Sequence, residues 1–178
     1  MKALREESSA TAVAGRRPRQ GGWDKVALTT AMFLHTGRFP IAPATFASFV
    51  TLLIWWLLPH WHPLVMTAVL VLLLPLGVWS ASRAEKTLGH DAKPIVIDEV
   101  LGALLTVAFL GHSLTLAIVG FFLFRVLDVV KPPPAYQLQS LPGGMGVMAD
   151  DIMAGIYGNL ILRVAAAIWP GLGLTAIR

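Results

Sequence analysis

Five of the ten acidic residues, Asp98, Glu99, Asp128, Asp150 and Asp151, lie at or inside apolar stretches, four of them as adjacent pairs. An ionised carboxylate in hydrocarbon costs about 3 kcal/mol even on mild scales, so such groups face a bundle interior or a polar cavity and pair with cations. The run FLFRVLDVVKPPP, residues 122–134, adds Arg125 and Lys131 to Asp128 at i, i+3 and i+6. On a helix these three fall within about 120° of the circumference, so one face is polar. The helix dipole favours acids at an N-terminus and accounts for either acidic pair taken singly, but it disfavours Asp128 near a C-terminus. One use of such residues is a ladder of ion pairs that holds helices together. The other is chemical: oxygen ligands suit a hard cation such as Mg2+, Arg grips phosphate oxygens in bidentate fashion and Lys supplies a point charge.

Two punctuated segments flank these residues, TGRFPIAPATFASF at 36–49 and LPGGMGVMADD at 141–151. Backbone N–H groups of such loops at a helix start can face an anion. They serve equally as ordinary turns, and neither matches a Walker loop. His90, in LGHDAKP, is either a proton shuttle or a solvated loop side chain.

The elements that must position these groups are helical and apolar. With 178 residues, 56% of them apolar and 13% charged, and a mean hydropathy of +0.68, the chain reads as one membrane domain. The net charge of +4 does not indicate nucleic acid, because no basic stripe interleaved with aromatics occurs and six of the fourteen Lys and Arg fall in the first 25 residues. A basic tail beside anionic lipid explains the excess. The chain has no cysteine, which excludes disulfides, thiolate zinc sites and cysteine nucleophiles.

Residues 1–22 read as a polar tail without the features of a signal peptide, and 23–178 as the membrane domain. Apolar stretches at 44–58, 63–80, 95–110, 113–130 and 147–168 predict an all-α bundle of four to five membrane helices. The first and third are short against the roughly 20 residues a full span needs, and Pro75 is expected to kink the second. Short turns at 59–62 and 111–113 predict antiparallel neighbours. Alternation then gathers Arg38, Arg83, Lys86, Lys93, Arg125, Lys131 and all five acids at one membrane face, with Arg178 alone opposite. The positive-inside tendency makes that face cytoplasmic. Trp55, Trp56, Trp61, Trp79 and Trp169 read as interfacial belt residues. IVIDEVLGALL and GVMADDIMAGIYG echo each other faintly: an acidic pair, then a glycine one turn later.

The segments TGRFPIAPATFAS, IVIDEVLG, FRVLDVVKPPP and GGMGVMADDIMAG, in this order over residues 36–158, resemble the bacterial phosphatidylglycerophosphatase A family. The resemblance implies a helical, Mg2+-dependent, multi-pass enzyme of the bacterial cytoplasmic membrane with its active site facing the cytoplasm. That enzyme removes the terminal phosphate of phosphatidylglycerol phosphate to give phosphatidylglycerol. A homo-oligomer is compatible with this reading, and nucleic acid is not a partner. Ala44 and Ala47 stand where the family usually has glycines, and a methyl group there restricts positive φ. The hydroxyls of the pattern, Thr45 and Ser48, are retained, as are Lys131, Pro132 and Pro134; Pro133 stands where an aromatic is common.

On this resemblance Asp98, Glu99, Asp128, Asp150 and Asp151 are expected to hold one or two Mg2+ ions, directly or through water. Arg125 and Lys131 would neutralise the phosphoryl group, and Thr45, Ser48 and Gly144 would line the substrate site. One carboxylate or His90 would take the proton of the attacking water. Cys-x5-Arg, Asp-x-Asp-Gly-Thr and Pro-Ser-Gly-His segments are absent, which removes three other phosphatase templates and leaves a metal-activated water. A covalent aspartyl-phosphate stays open. Two rival classes remain. A small cation or proton-coupled transporter predicts acids spread through the membrane depth, and a structural subunit uses the charges as docking pairs.

Overall fold

Proline and glycine set where the helices of this protein begin and end. The computed structural model describes residues 21–58 and 62–169. Among them are seven α-helices and no strand: α1 Gly22–Ala31, α2 Pro43–Leu57, α3 Pro63–Leu88, α4 Ile97–Val107, α5 Leu114–Val130, α6 Ala135–Leu138 and α7 Gly144–Ile168, with a 3-10 turn at Thr36–Arg38. Pro43 and Pro63 open α2 and α3, where a missing N–H leaves nothing unpaired. Ser113 Oγ accepts from Leu116 N–H and caps α5. The five apolar stretches correspond to α2, α3, α4, α5 and α7.

Three features differ from the sequence expectation. Helix α3 continues past residue 80 to Leu88, because Ala81, Arg83, Ala84, Glu85 and Lys86 are good helix formers and the stop signal is Gly89, at φ +100°. It runs through Pro75 without interruption. Helix α1 was not anticipated; it docks on α3 through a 3.0 Å salt bridge from Arg83 Nη1 to Asp24 Oδ1. Trp55 is no belt residue, since it is buried in the core against the His112 ring. Trp61 and Arg178, like residues 1–20 of the expected tail, lie outside the described residues.

Helix α4 is the axis of the bundle. Every residue from Ile97 to Leu104 is buried, and α2, α3, α5 and α7 all pack against it. Its 11 residues extend about 16 Å, roughly half of a bilayer's hydrocarbon thickness. By length and composition α3 and α7 are the two helices able to cross a membrane. The exterior is apolar: Leu64, Val71, Leu72, Phe122, Val129 and Val164 all stand more than half exposed, while four carboxylates lie inside.

The chain topology brings the start of α4, the ends of α3 and α5 and the start of α7 to one end of the bundle. Val96 N–H donates to the carbonyl of Ala31, and Gly144 N–H donates to Ser82 Oγ, which tie these connections together. Among the described residues the far end carries a charge that the sequence expectation does not count, Arg163. Arg163 Nε donates to Asn159 Oδ1 at 2.7 Å, and its Nη2 reaches the carbonyl of Ala108, just beyond the end of α4.

Candidate active site

The site is built where α4 and α7 cross. Gly102, one turn after Asp98, and Gly155, one turn after Asp151, meet at the crossing. A Cβ on Gly102 would lie 2.7 Å from the carbonyl oxygen of Asp151 and 2.5 Å from the Phe124 ring, and one on Gly155 would lie 2.6 Å from the carbonyl oxygen of Gly102. Small residues thus let two backbones touch, as in close-packed membrane helix pairs. The faint sequence echo is this crossing, seen once from each helix.

Close approach brings the acids together. One carboxylate oxygen from each of Asp98, Glu99 and Asp151 lies within 4.8 Å of the other two. All three residues are under a tenth exposed, at 6%, 8% and 3%. Asp98 Oδ1, Glu99 Oε2 and Asp151 Oδ2 are buried with no hydrogen-bond partner, and none of the three residues forms a salt bridge among those described. Three like charges in a dry pocket are strongly unfavourable unless a cation or protons compensate them. The donor set is all oxygen, which fits a hard divalent ion such as Mg2+ better than zinc or copper.

The end of α5 supplies the remaining charges. Arg125 Nη1 contacts Asp128 Oδ2 at 2.9 Å on the same helix face. Lys131 does not extend that ladder. It sits at φ +47°, because Pro132 forbids another helical turn, and from there Nζ donates to Asp150 Oδ2 at 2.6 Å. Burial works against the Lys131 ammonium, but the Asp150 hydrogen bond and the charges of Asp150, Asp128 and Asp151 outweigh it and hold its pKa above the usual lysine value. Asp150 Oδ1 and Arg125 Nη1 are nonetheless buried without an aligned hydrogen bond, so both retain capacity toward a ligand.

Acids, arginine and lysine thus gather in one largely buried cluster at one end of a helical bundle, and the comparison with known families agrees with that chemistry. The family model for phosphatidylglycerophosphatase A matches residues 29–166. The chain belongs to this family. It is therefore a phosphoric monoester hydrolase, and its buried charged pocket, wholly inside the matched span, is the candidate active site. Among curated relatives, a phosphatidylglycerophosphatase A of Escherichia coli K12 is 33% identical over 143 residues, covering 79% of this chain and 83% of the relative. One from Haemophilus influenzae is 33% identical over 102 residues, covering 56% and 61%. A Bacteroides thetaiotaomicron protein, named provisionally as a phosphatidylinositol-3-phosphatase, is 36% identical over 138 residues, covering 73% and 87%. No solved structure matches the chain significantly.

The other residues expected in the site have different surroundings. His90 is set apart: its ring is 65% exposed and pairs with Glu85, which also accepts from Asp91 N–H. Gly144 N–H is committed to Ser82 Oγ, and a Cβ there would run into the Val78 carbonyl, so this glycine seats α7 on α3. Ser48 is fully buried and donates to the Ala44 carbonyl within α2, whereas Thr45 is partly exposed in the first turn of α2. Sequence reasoning passed over Ser82 and Glu85; a lone serine or glutamate in a polar helix end carries no signal of its partner across the fold.

Proposed function

We propose that this protein hydrolyses phosphatidylglycerol phosphate to phosphatidylglycerol and phosphate, with Mg2+, at the cytoplasmic face of the bacterial inner membrane. The observation that carries this reading is the convergence of three buried carboxylates from α4 and α7, each with one oxygen lacking a hydrogen-bond partner, at the bundle end that also carries Arg125 and Lys131. Asp98, Glu99 and Asp151 would hold the ion, with Asp128 and Asp150 at its margin. An ion held there would supply polarisation of a phosphoryl oxygen and a lowered pKa for a water.

The chain's own residues account for the rest. Arg125 turns from Asp128 toward the phosphate oxygens, and Lys131, anchored by Asp150, adds a fixed positive charge; positioning and electrostatics dominate phosphoryl transfer. A carboxylate of the cluster takes a proton from water as the new P–O bond forms and the ester P–O bond breaks. The departing glycerol oxygen receives a proton in turn. Burial of the carboxylates and partial burial of Arg125 and Lys131 leave these charges less screened than at an open surface.

The membrane assignment rests on the inverted distribution of polarity, apolar outside and charged inside, and on the two long apolar helices. Arg38, Arg83, Lys86, Lys93 and Lys131 crowd the site end, against Arg163 at the other among the described residues, which favours the cytoplasmic side. Acids gathered at one end suit a lipid headgroup more than a transmembrane ion path. The Bacteroides relative supports a second headgroup, a phosphoinositide, as the competing substrate. The deciding assay measures phosphate release from phosphatidylglycerol phosphate and phosphatidylinositol 3-phosphate in detergent, with Mg2+ and then with chelator. Faster turnover of the phosphoinositide would replace the substrate, and turnover indifferent to chelator would remove the metal.

A further inference from the structure

Among the described residues, away from the charged cluster, lies a groove of apolar character. It runs between α2 and α5, has a volume of about 180 Å³ and is lined only by apolar side chains, among them Phe49, Leu53 and Trp56 on one wall and Leu114, Ile118 and Phe122 on the other. Ala117 lies in its lining and leaves room where a larger residue would fill it. The groove opens outward, since Phe49 and Ile118 are each 49% exposed and Phe122 is 62% exposed.

Both walls continue into polar residues at the same end. On α5 the row Leu114, Ile118, Phe121 and Phe122 leads at i+4 and i+3 to Arg125 and then to Asp128. On α2 the row Trp56, Leu53 and Phe49 leads one turn back to Thr45. Phe49 and Phe121 meet edge to face, ring centres 6.2 Å apart, and close the trough just below that polar end. From Leu114 to Phe122 the groove extends about 12 Å along α5, close to the roughly 15 Å depth of hydrocarbon in one leaflet. An apolar slot one leaflet deep, open sideways and headed by an arginine, complements a molecule with a hydrocarbon tail and an anionic head.

We propose that the α2–α5 groove is an acyl-chain subsite that seats one chain of the lipid substrate and thereby sets its phosphate at Arg125. The inference rests on the lipid-phosphatase reading and adds where the tail lies. It means that the enzyme measures its substrate by depth as well as by headgroup, and that a phosphate monoester without a long chain is held poorly even though its phosphate is the same.

Two measurements test this. The first uses phosphatidic acid carrying a mid-chain diazirine, irradiated with the full chain in phosphatidylcholine nanodiscs. Labelled peptides should concentrate at 49–56 and 114–122, and Ile118→Trp, or Leu53→Trp from the facing wall, should cut labelling at least fivefold. Leu72→Trp, on the outer face of α3, should not. Labelling spread evenly over the apolar exterior, or insensitive to both groove variants, overturns the subsite. So does a dimer that dissociates on Ile118→Trp, which would make the occupant a second copy of this chain. The second compares dioleoyl with dihexanoyl phosphatidylglycerol phosphate: the ratio of their kcat/KM values should fall about tenfold in either groove variant, and an unchanged ratio overturns the proposal. If the wild-type protein releases phosphate from neither yet the probe labels the groove, the substrate reading fails and the subsite stands.

Discussion

Gly155 of α7 rests on the backbone of Gly102 of α4, so closely that a Cβ at Gly155 would come within 2.6 Å of the Gly102 carbonyl oxygen. The acids of the site are held together by this contact, because Asp98 and Asp151 each project one turn from it. Gly155→Ala should therefore do two things. Overpacking should destabilise the protein by about 1–3 kcal/mol, and separation of the helices should lower turnover further, since a displacement of about 1 Å can cost on the order of a hundredfold. Gly22→Ala, where nothing lies within 4 Å of the added carbon, should leave both unchanged. Thermal unfolding in detergent alongside phosphate release separates the two effects.

A binding site for a cation predicts linked stability. Mg2+ at a hundred times its Kd should stabilise the wild-type fold by about 2.7 kcal/mol, read as a rise in Tm. Asp151→Asn removes one of the three converging carboxylates and relieves their mutual repulsion. That variant should unfold at the same or higher temperature without Mg2+, gain nothing from adding it, and lose at least about a hundredfold in activity. A Tm rise with Mg2+ that persists in Asp151→Asn would separate the acids from the ion.

The pocket was legible in the sequence to the extent that physics forbids its residues elsewhere. Acids inside apolar stretches need a shared interior, and the paired echo of acid and glycine marked both halves of the crossing. What escaped were relationships set by partners distant in sequence. Arg125, Asp128 and Lys131 fit one helical stripe, but Pro132 turns Lys131 out of it toward Asp150 on another helix. Trp55 reads as a belt residue, and packing against residues distant in sequence, the ring of His112 57 positions away among them, makes it core. The end of α3 was misjudged for a different reason: hydrophobicity stops near residue 80, whereas helical backbone stops at a glycine.

The Lys131–Asp150 pair distinguishes catalytic charge from structural charge. Lys131→Met leaves Asp150, 5% exposed, without its cation, and breaking one side of a buried pair costs about 3–5 kcal/mol. The double variant Lys131→Met with Asp150→Asn removes both charges and should recover most of that stability. On the proposed role of Lys131, activity should stay low in the single and the double variant alike, because both lack its charge. Recovery of turnover along with stability would reduce the pair to a strut.

Asn159 offers the converse test, at the end of the bundle away from the acids. Its Nδ2 donates to the carbonyls of Leu105, Thr106 and Ala108 at 3.0, 3.2 and 2.9 Å, closing the C-terminus of α4, and its Oδ1 holds Arg163. Asn159→Leu keeps the volume and removes every one of these bonds. Leu105 keeps the Ala108 N–H at 3.3 Å and Ala108 keeps a 3.4 Å contact from Arg163, but the three carbonyls lose their shared amide donor, so the fold should lose about 1–3 kcal/mol. The acids sit toward the opposite end of α4 and α7, so KM should be unchanged below the lowered Tm. Should KM rise as well, the two ends of α4 would be mechanically coupled, and the helix would then act as a lever rather than as a fixed axis.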